Sequence, residues 1–279
     1  MRRTILLIPP NDPEAILIYE LAKAMGLQVI RSSQPHGSTL DREPDLIPLV
    51  RDGGWERLII VEMPGPKVEE KLRKLGVEVV IIDHHHYTGL DRAHDAKGRS
   101  LPSSLEQFLR LFRITDTRLR SFGYDPKVAR GIGVMDRGFI WALKEEGYRP
   151  KEIGAVLALR RKLLADHGML RDEEKRMAAA RKAWDGRKEW NGYQVVESRT
   201  SAGIREGVSF IVALEVGRPT PVIFVEKGRG LIYVQESNQA MDLFRAFGGF
   251  TFGSDRNWGY RNGMGKRQVT LKDVQRILA

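Results

Sequence analysis

The 279-residue chain contains no cysteine. Disulfides, thiolate nucleophiles and thiolate metal ligands are therefore excluded, and a reducing cytoplasm is the expected compartment. Long apolar runs are also missing. No stretch approaches the roughly 20 residues that cross a bilayer, so no membrane association is expected. The first apolar run is halted by Pro9 and Pro10 and reads as a strand, not as a secretion signal. Negative charge is in deficit: 46 Lys and Arg stand against 36 Asp and Glu, a formal net charge of +10. That balance favours polyanionic partners, nucleic acid first, although arginine-rich solvated helices would give the same number. With 42% hydrophobic and 29% charged residues, the chain suits a soluble protein of one large or two ordinary domains.

What is present is organised around Val79-Val80-Ile81-Ile82-Asp83-His84-His85-His86, which holds three of the six histidines. Residues 79–82 are a continuous β-branched apolar run, the composition of a parallel strand covered on both faces. The run stops at Asp83, so its polar groups fall at the carboxyl end of the strand, the edge at which open α/β sheets bind ligands. A histidine-rich solvated loop is the alternative on the local residues alone.

The preceding chain alternates strand and helix. Residues 4–8 read as strand one, and Asn11 or Asp12 can cap a helix with Pro13 at its first position. Residues 27–30 and 57–61 read as further strands, with a polar loop between them at 32–48. This alternation argues for a parallel sheet. Asp12 and Glu14 follow the first strand, Glu62 ends the strand at 57–61, and Asp83 and His84 end the strand at 79–82. In a parallel sheet these ends share one edge. Convergent Asp, Glu and His without Cys suit a hard or borderline divalent cation such as Mn²⁺ or Mg²⁺.

Further on, Ser103 and Glu106 fit a capping box, and Asp125-Pro126 opens another helix. That helix carries Gly131, Gly133 and Asp136 in an apolar context. Its glycines make sense if the backbone packs closely and Asp136 points into a site; an exposed acid is the plain alternative. Residues 151–188 have helical periodicity and heavy charge, broken at Gly168 and Gly186. Beyond them, 193–198, 209–215, 222–226 and 230–235 read as strands and 241–247 as a short helix. Gly248 and Gly249, with the aromatics and arginines that follow, offer backbone N–H groups, stacking faces and positive charge, or else a glycine-rich turn.

Taken together, these residues resemble the DHH phosphoesterase superfamily, which includes RecJ-type exonucleases, nanoRNA and cyclic-dinucleotide phosphodiesterases and family II inorganic pyrophosphatases. Asp83-His84-His85 matches the namesake motif. Asn11-Asp12-Pro13-Glu14 stands where the first motif has Asp-x-Asp, Glu62 stands for the Asp of the second, and residues 131–140 resemble the fourth, with Asp136 as its acid. Glu236-Ser237-Asn238, Met241-Asp242-Leu243 and Phe247-Gly248-Gly249 resemble the DHH-associated domain. The likeness implies an α/β fold: a parallel-sheet DHH domain over 1–165, a helical connector over 166–189, and a smaller α+β substrate-binding domain over 190–279. It implies Asp12, Glu14, Glu62, His84 and Asp136 as ligands of one or two Mn²⁺ or Mg²⁺ ions. It also implies His85 and Asp83 as the catalytic pair, with His85 meeting substrate phosphate, and Gly248, Gly249, Arg256 and Arg261 as substrate-binding residues.

The departures are specific. Ile8 stands where the first motif begins with His, and Thr251 stands where the glycine-rich motif ends in His. One ion position, with Glu14, Glu62, His84 and Asp136, is nearly complete. The other keeps Asp12 and Glu62 without an imidazole. The expected function is metal-dependent hydrolysis of a nucleotide or short single-stranded nucleic acid. The alternative is a non-catalytic nucleic-acid- or nucleotide-binding homologue with an impaired metal site.

Overall fold

The computed structural model describes residues 3–35, 37–87, 90–252, 254–264 and 267–279. The chain divides into two compact units, Met1–Gly168 and Met169–Ala279.

The first unit begins β1 (Thr4–Ile8), α1 (Pro13–Ala24), β2 (Gln28–Arg31), α2 (Leu46–Asp52), β3 (Arg57–Val61), α3 (Pro66–Lys74) and β4 (Glu78–Ile82). A short hairpin follows, β5 (His86–Tyr87) and β6 (Leu90–Asp91), and then four helices: α4 (Ser104–Leu111), α5 (Asp116–Ser121), α6 (Pro126–Glu145) and α7 (Pro150–Asp166). The four main strands pair in the order β2-β1-β3-β4, all parallel. Leu6 to Ile8 and Leu58 to Val61 are buried on both faces, as continuous apolar strands in a covered parallel sheet must be. Proline opens α1, α3, α6 and α7, where its missing N–H costs no helical hydrogen bond. Asp12, Ser103 and Asp125 cap α1, α4 and α6 with side-chain oxygens.

The glycines of α6 have the packing role that their position suggests. A Cβ on Gly131 would collide with Val156 of α7. A Cβ on Gly133 would collide with the Ser103 hydroxyl and stand 2.8 Å from Glu14 Oε1. Thus α6 lies directly against the starts of α1 and α4. It also breaks one turn beyond Asp136, where Gly138 and Phe139 leave helical geometry and Phe139 takes φ 62°, ψ −157°.

The second unit contains α8 (Leu170–Asp185), β7 (Lys188–Trp190), β8 (Tyr193–Ser198), α9 (Arg205–Ile211), β9 (Val222–Glu226), β10 (Leu231–Gln235), α10 (Ala240–Phe247), β11 (Phe250–Phe252), β12 (Ser254–Arg261) and α11 (Leu271–Leu278). Its mixed sheet has the order β11-β12-β10-β9-β8-β7, with β8 and β9 parallel. Helix α8, drawn from the segment expected as a connector, packs on β8 and α9. The strand expected at 209–215 is wrong: this stretch is the end of α9 and a π-helical turn over Val212–Val216. Residues 207–208 and 210–213 are all buried, and a short run buried on every side carries no period that separates strand from helix. Gly207 decides for the helix in three dimensions, since its bare Cα lets α9 pack against Ala180 of α8. No helix among the described residues is long and apolar enough to cross a membrane.

Two glycines should therefore respond oppositely to the same change. Gly133→Ala, which overpacks the α1–α4–α6 junction, should cost about 1–3 kcal/mol of stability. Gly154→Ala, on α7 with open space around its Cα, should gain about 1 kcal/mol. Urea unfolding of both variants checks the pair.

Candidate metal centre

The carboxyl ends of β1, β3 and β4 place their polar residues on one edge. After β1, Asp12 turns back to cap α1, its Oδ1 accepting from the Ala15 N–H at 2.8 Å. Glu14 follows in the first turn of α1 and is fully buried. Its Oε1 accepts from the Leu105 N–H at 2.9 Å, so the first turn of α4 is aimed at this acid. At the end of β3, Glu62 takes a left-handed φ of 52°, uncommon for a residue with a Cβ. Its N–H still donates to Ile82 O at 3.0 Å, which ties the turn to β4. At the end of β4, His84 is the hub. Its Nδ1 lies 3.5 Å from Glu62 Oε1 and 3.7 Å from Glu14 Oε2, and its Nε2 lies 3.2 Å from Asp136 Oδ2. The Ser104 N–H and hydroxyl each stand 3.3 Å from Nδ1.

The acids are held against their electrostatic preference. Burial, followed by the charges of Asp136 and Glu62, raises the Glu14 carboxyl well above its ordinary pKa of 4.5. Burial, then Asp12 and Asp136, does the same to Glu62, with the Ser104 hydroxyl opposing. Glu14 Oε2 and Glu62 Oε1 are buried and have no hydrogen-bond partner. Buried carboxylate oxygens in that state call for a positive charge. Glu62, His84, His85 and Asp136 can each bring one ligand atom within 4.8 Å of the others. A nitrogen-and-oxygen donor set with an excess of carboxylates fits a hard or borderline divalent cation of the Mn²⁺ or Mg²⁺ kind.

Two solved structures share this arrangement of elements. A RecJ exonuclease bound to manganese matches 94% of this chain and 86% of its own, at 15% identity and a TM-score of 0.50. An exopolyphosphatase-related protein from Bacteroides fragilis matches 99% of this chain and 91% of its own, at 11% identity and a TM-score of 0.50. The chain has the DHH phosphoesterase fold. The likeness is one of fold; no protein-family model and no curated protein sequence matches the chain.

Within this DHH fold the expected residues separate into groups. Glu14, Glu62, His84 and Asp136 meet around one imidazole. Asp12 is close enough to act on Glu62 and His85 through its charge but lies outside the group of four. Asp83 is buried and serves its neighbours. Its Oδ1 accepts from the His85 N–H and lies 3.0 Å from His85 Nδ1, and its Oδ2 accepts from the Tyr87 hydroxyl at 3.0 Å. For His85, burial pulls toward the neutral ring, but the Asp83 hydrogen bond and the charges of Asp83, Asp136 and Asp12 prevail and raise its pKa. The His84 and His85 rings stack with centroids 4.4 Å apart. Ile8, at the motif position of an imidazole, is hydrocarbon with no exposure.

Gly248, Gly249, Arg256 and Arg261 belong to the second unit. Gly248 O accepts from Trp258 Nε1 at 2.7 Å, and a Cβ on Gly249 (φ 95°) would collide with Gly259 O, so both glycines have a packing reason. Arg256 donates to Glu236 O at 3.4 Å, and Arg261 is exposed on β12. A cationic aromatic cluster escaped the sequence reading: the Arg205 guanidinium lies 4.7 Å from the Phe252 ring and 5.7 Å from Tyr233. The alternation of Phe250 and Phe252 along one strand face is the signal that could have found it. In the first unit, Ser104 and Tyr87 were missed as well. They lie 20 and 4 residues from the groups they bond, and only the fold brings Ser104 in.

A carboxyl whose pKa is higher folded than unfolded binds its proton more tightly in the folded chain. Its contribution to stability is then greatest below the unfolded value near 4.5 and is lost as pH rises toward the folded value. In EDTA, the melting temperature should fall as pH rises from about 5 toward 8. Mn²⁺ should reverse the fall most at the upper end, and Glu62→Gln should flatten it. Thermal unfolding across pH, with and without the ion, checks this.

Proposed function

We propose that the chain is a metal-dependent phosphoesterase that hydrolyses a nucleotide or short nucleic-acid phosphodiester in the cytoplasm. The observation that carries the reading is the pair of buried, unpartnered carboxylate oxygens on Glu14 and Glu62, gathered with His84 and Asp136 at the carboxyl edge of a parallel sheet. The DHH fold, and the manganese in the RecJ exonuclease structure, support the choice of ion and chemistry. Glu62, His84 and Asp136 would hold the ion, with Glu14 and His85 at its margin and Asp12 toward the weaker second position. A bound Mn²⁺ or Mg²⁺ supplies Lewis acidity at the phosphoryl group and an activated water.

The other groups have distinct tasks. Asp83 occupies His85 Nδ1, which leaves Nε2 to meet a phosphoryl oxygen. Because the Asp83 and Asp136 charges favour the protonated ring, that contact is a charge-assisted hydrogen bond. Gly248, Gly249, Arg256 and Arg261 supply backbone and cationic contacts for the rest of the substrate, and Arg205 with Phe252 adds a stacking face. Ile8 favours a second reading, a nucleic-acid-binding homologue without turnover. It places buried hydrocarbon where the resemblance expects the nitrogen ligand of the second ion.

Two measurements separate the readings. His84→Ala should lower Mn²⁺ affinity more than about 100-fold, beyond the effect of losing an outer partner, and abolish hydrolysis of bis-p-nitrophenyl phosphate. Ile8→His should strengthen the second ion and raise the rate; titration calorimetry and a hydrolysis assay read both. A parent chain that binds oligonucleotide, never cleaves it and gains nothing from Ile8→His is the binding protein. Separately, single-stranded oligonucleotide affinity should fall steeply with added salt, as expected for a chain of net charge +10, and fluorescence anisotropy checks it.

A further inference from the structure

A cleft of about 350 Å³ opens beside the metal centre, and Glu62 and His85 form one of its walls. That volume accommodates a nucleoside. The opposite walls are Pro9, Pro35, Met63 and Tyr87, with Asn11 and Ser38 as the polar side chains. None of the described lining residues is a lysine or arginine. A polyphosphate chain carries charge on every unit and needs such cations along its length. This cleft instead offers flat or rigid apolar surface and two neutral hydrogen-bonding groups.

The ring of Tyr87 is fixed in place. Its hydroxyl donates to Asp83 Oδ2 at 3.0 Å, and its centroid lies 5.8 Å from that of His85 at an interplanar angle of 39°. A ring already immobilised loses little entropy when a base stacks on it. Asn11 donates its Nδ2 to Gln34 O at 3.2 Å, which leaves its amide oxygen as an acceptor for a base or ribose donor. The Ser38 N–H closes a turn onto Pro35 O at 3.1 Å and holds that wall in shape.

We infer that this cleft seats the nucleoside adjoining the scissile phosphate, with its base against Tyr87. The substrate is then a nucleotidyl phosphodiester and not a polyphosphate. The inference rests on the phosphoesterase reading for the word scissile, while the seat itself is a matter of binding and can be tested without turnover.

The test is equilibrium binding of a dinucleotide containing 2-aminopurine, followed by base fluorescence, in Mn²⁺ and again in EDTA. The parent chain should quench the base on binding, and a hundredfold excess of tripolyphosphate should fail to displace it. Tyr87→Phe, which keeps the ring and loses only the hydroxyl, should retain quenching. Tyr87→Leu should weaken binding about tenfold, the effect of one lost base stack. Pro35→Lys, at an exposed position on the rim, should admit competition by tripolyphosphate and guards against a Tyr87 variant that does not fold. Absence of dinucleotide binding, equal competition by tripolyphosphate in the parent, or unchanged affinity in a folded Tyr87→Leu protein overturns the inference. Tyr87-dependent binding without hydrolysis upholds the seat and removes the phosphoesterase reading. Preferred hydrolysis of polyphosphate removes the seat and leaves the phosphoesterase reading intact.

Discussion

The first unit is built around a repulsion. Glu14 and Glu62 are packed out of water beside Asp136 and Asp12, with a single imidazole, His84, between them. Like charges in a low-dielectric setting are costly, and the surroundings offset only part of the cost. The first turn of α4 contributes the Leu105 N–H and the Ser104 hydroxyl. Gly133 lets α6 approach closely enough to bring Asp136 to His84. The residual cost is visible in two oxygens without partners. A divalent cation is the simplest charge that satisfies both of them, which is why the site, more than the fold, points to metal chemistry.

Backbone geometry around this centre is strained in two places. Glu62 adopts a left-handed φ, and Phe139 occupies a region that residues with a Cβ rarely enter. Each such conformation costs about 1–3 kcal/mol and persists only where neighbours over-determine it. Glu62 is held by its N–H bond to Ile82, and this turn carries its carboxylate toward His84. Phe139 follows Asp136 by three residues, so the straight part of α6 ends just after delivering its acid. Strain on both sides of one cluster is what pre-organisation of a charged site looks like in a backbone.

Much of this was legible in the chain. Apolar strands that end in Asp, Glu or His announce a common edge, because parallel strands point the same way. The glycines flanking Asp136 announce close helix packing. Other parts were illegible for physical reasons. The segment at 209–215 is buried on all sides, so it carries no period. Asp83 reads as a catalytic partner from its place in the motif, and the fold shows it at work through hydrogen bonds to His85 and Tyr87. Arg205 gains its meaning from Phe252, 47 residues away, a separation over which no local pattern extends. His85 appears as a substrate contact in sequence, and three dimensions add its ring to the set of atoms that can surround an ion.

The charge distribution links the centre to its substrate. The chain is basic overall, with a net charge of +10, yet Asp12, Glu14, Glu62, Asp83 and Asp136 are concentrated in the first unit around one sheet edge. A phosphodiester drawn in by the basic surface meets carboxylates there, and in the absence of a cation it is repelled at short range. Attraction at long range falls with salt, whereas the buried repulsion is screened far less. Ion binding is therefore a precondition for substrate at this edge, beyond any part in the chemistry. The neutral cleft beside it then makes physical sense. With charge managed at the centre, discrimination among phosphoesters passes to the uncharged group on the flank, where a rigid tyrosine and prolines select by shape.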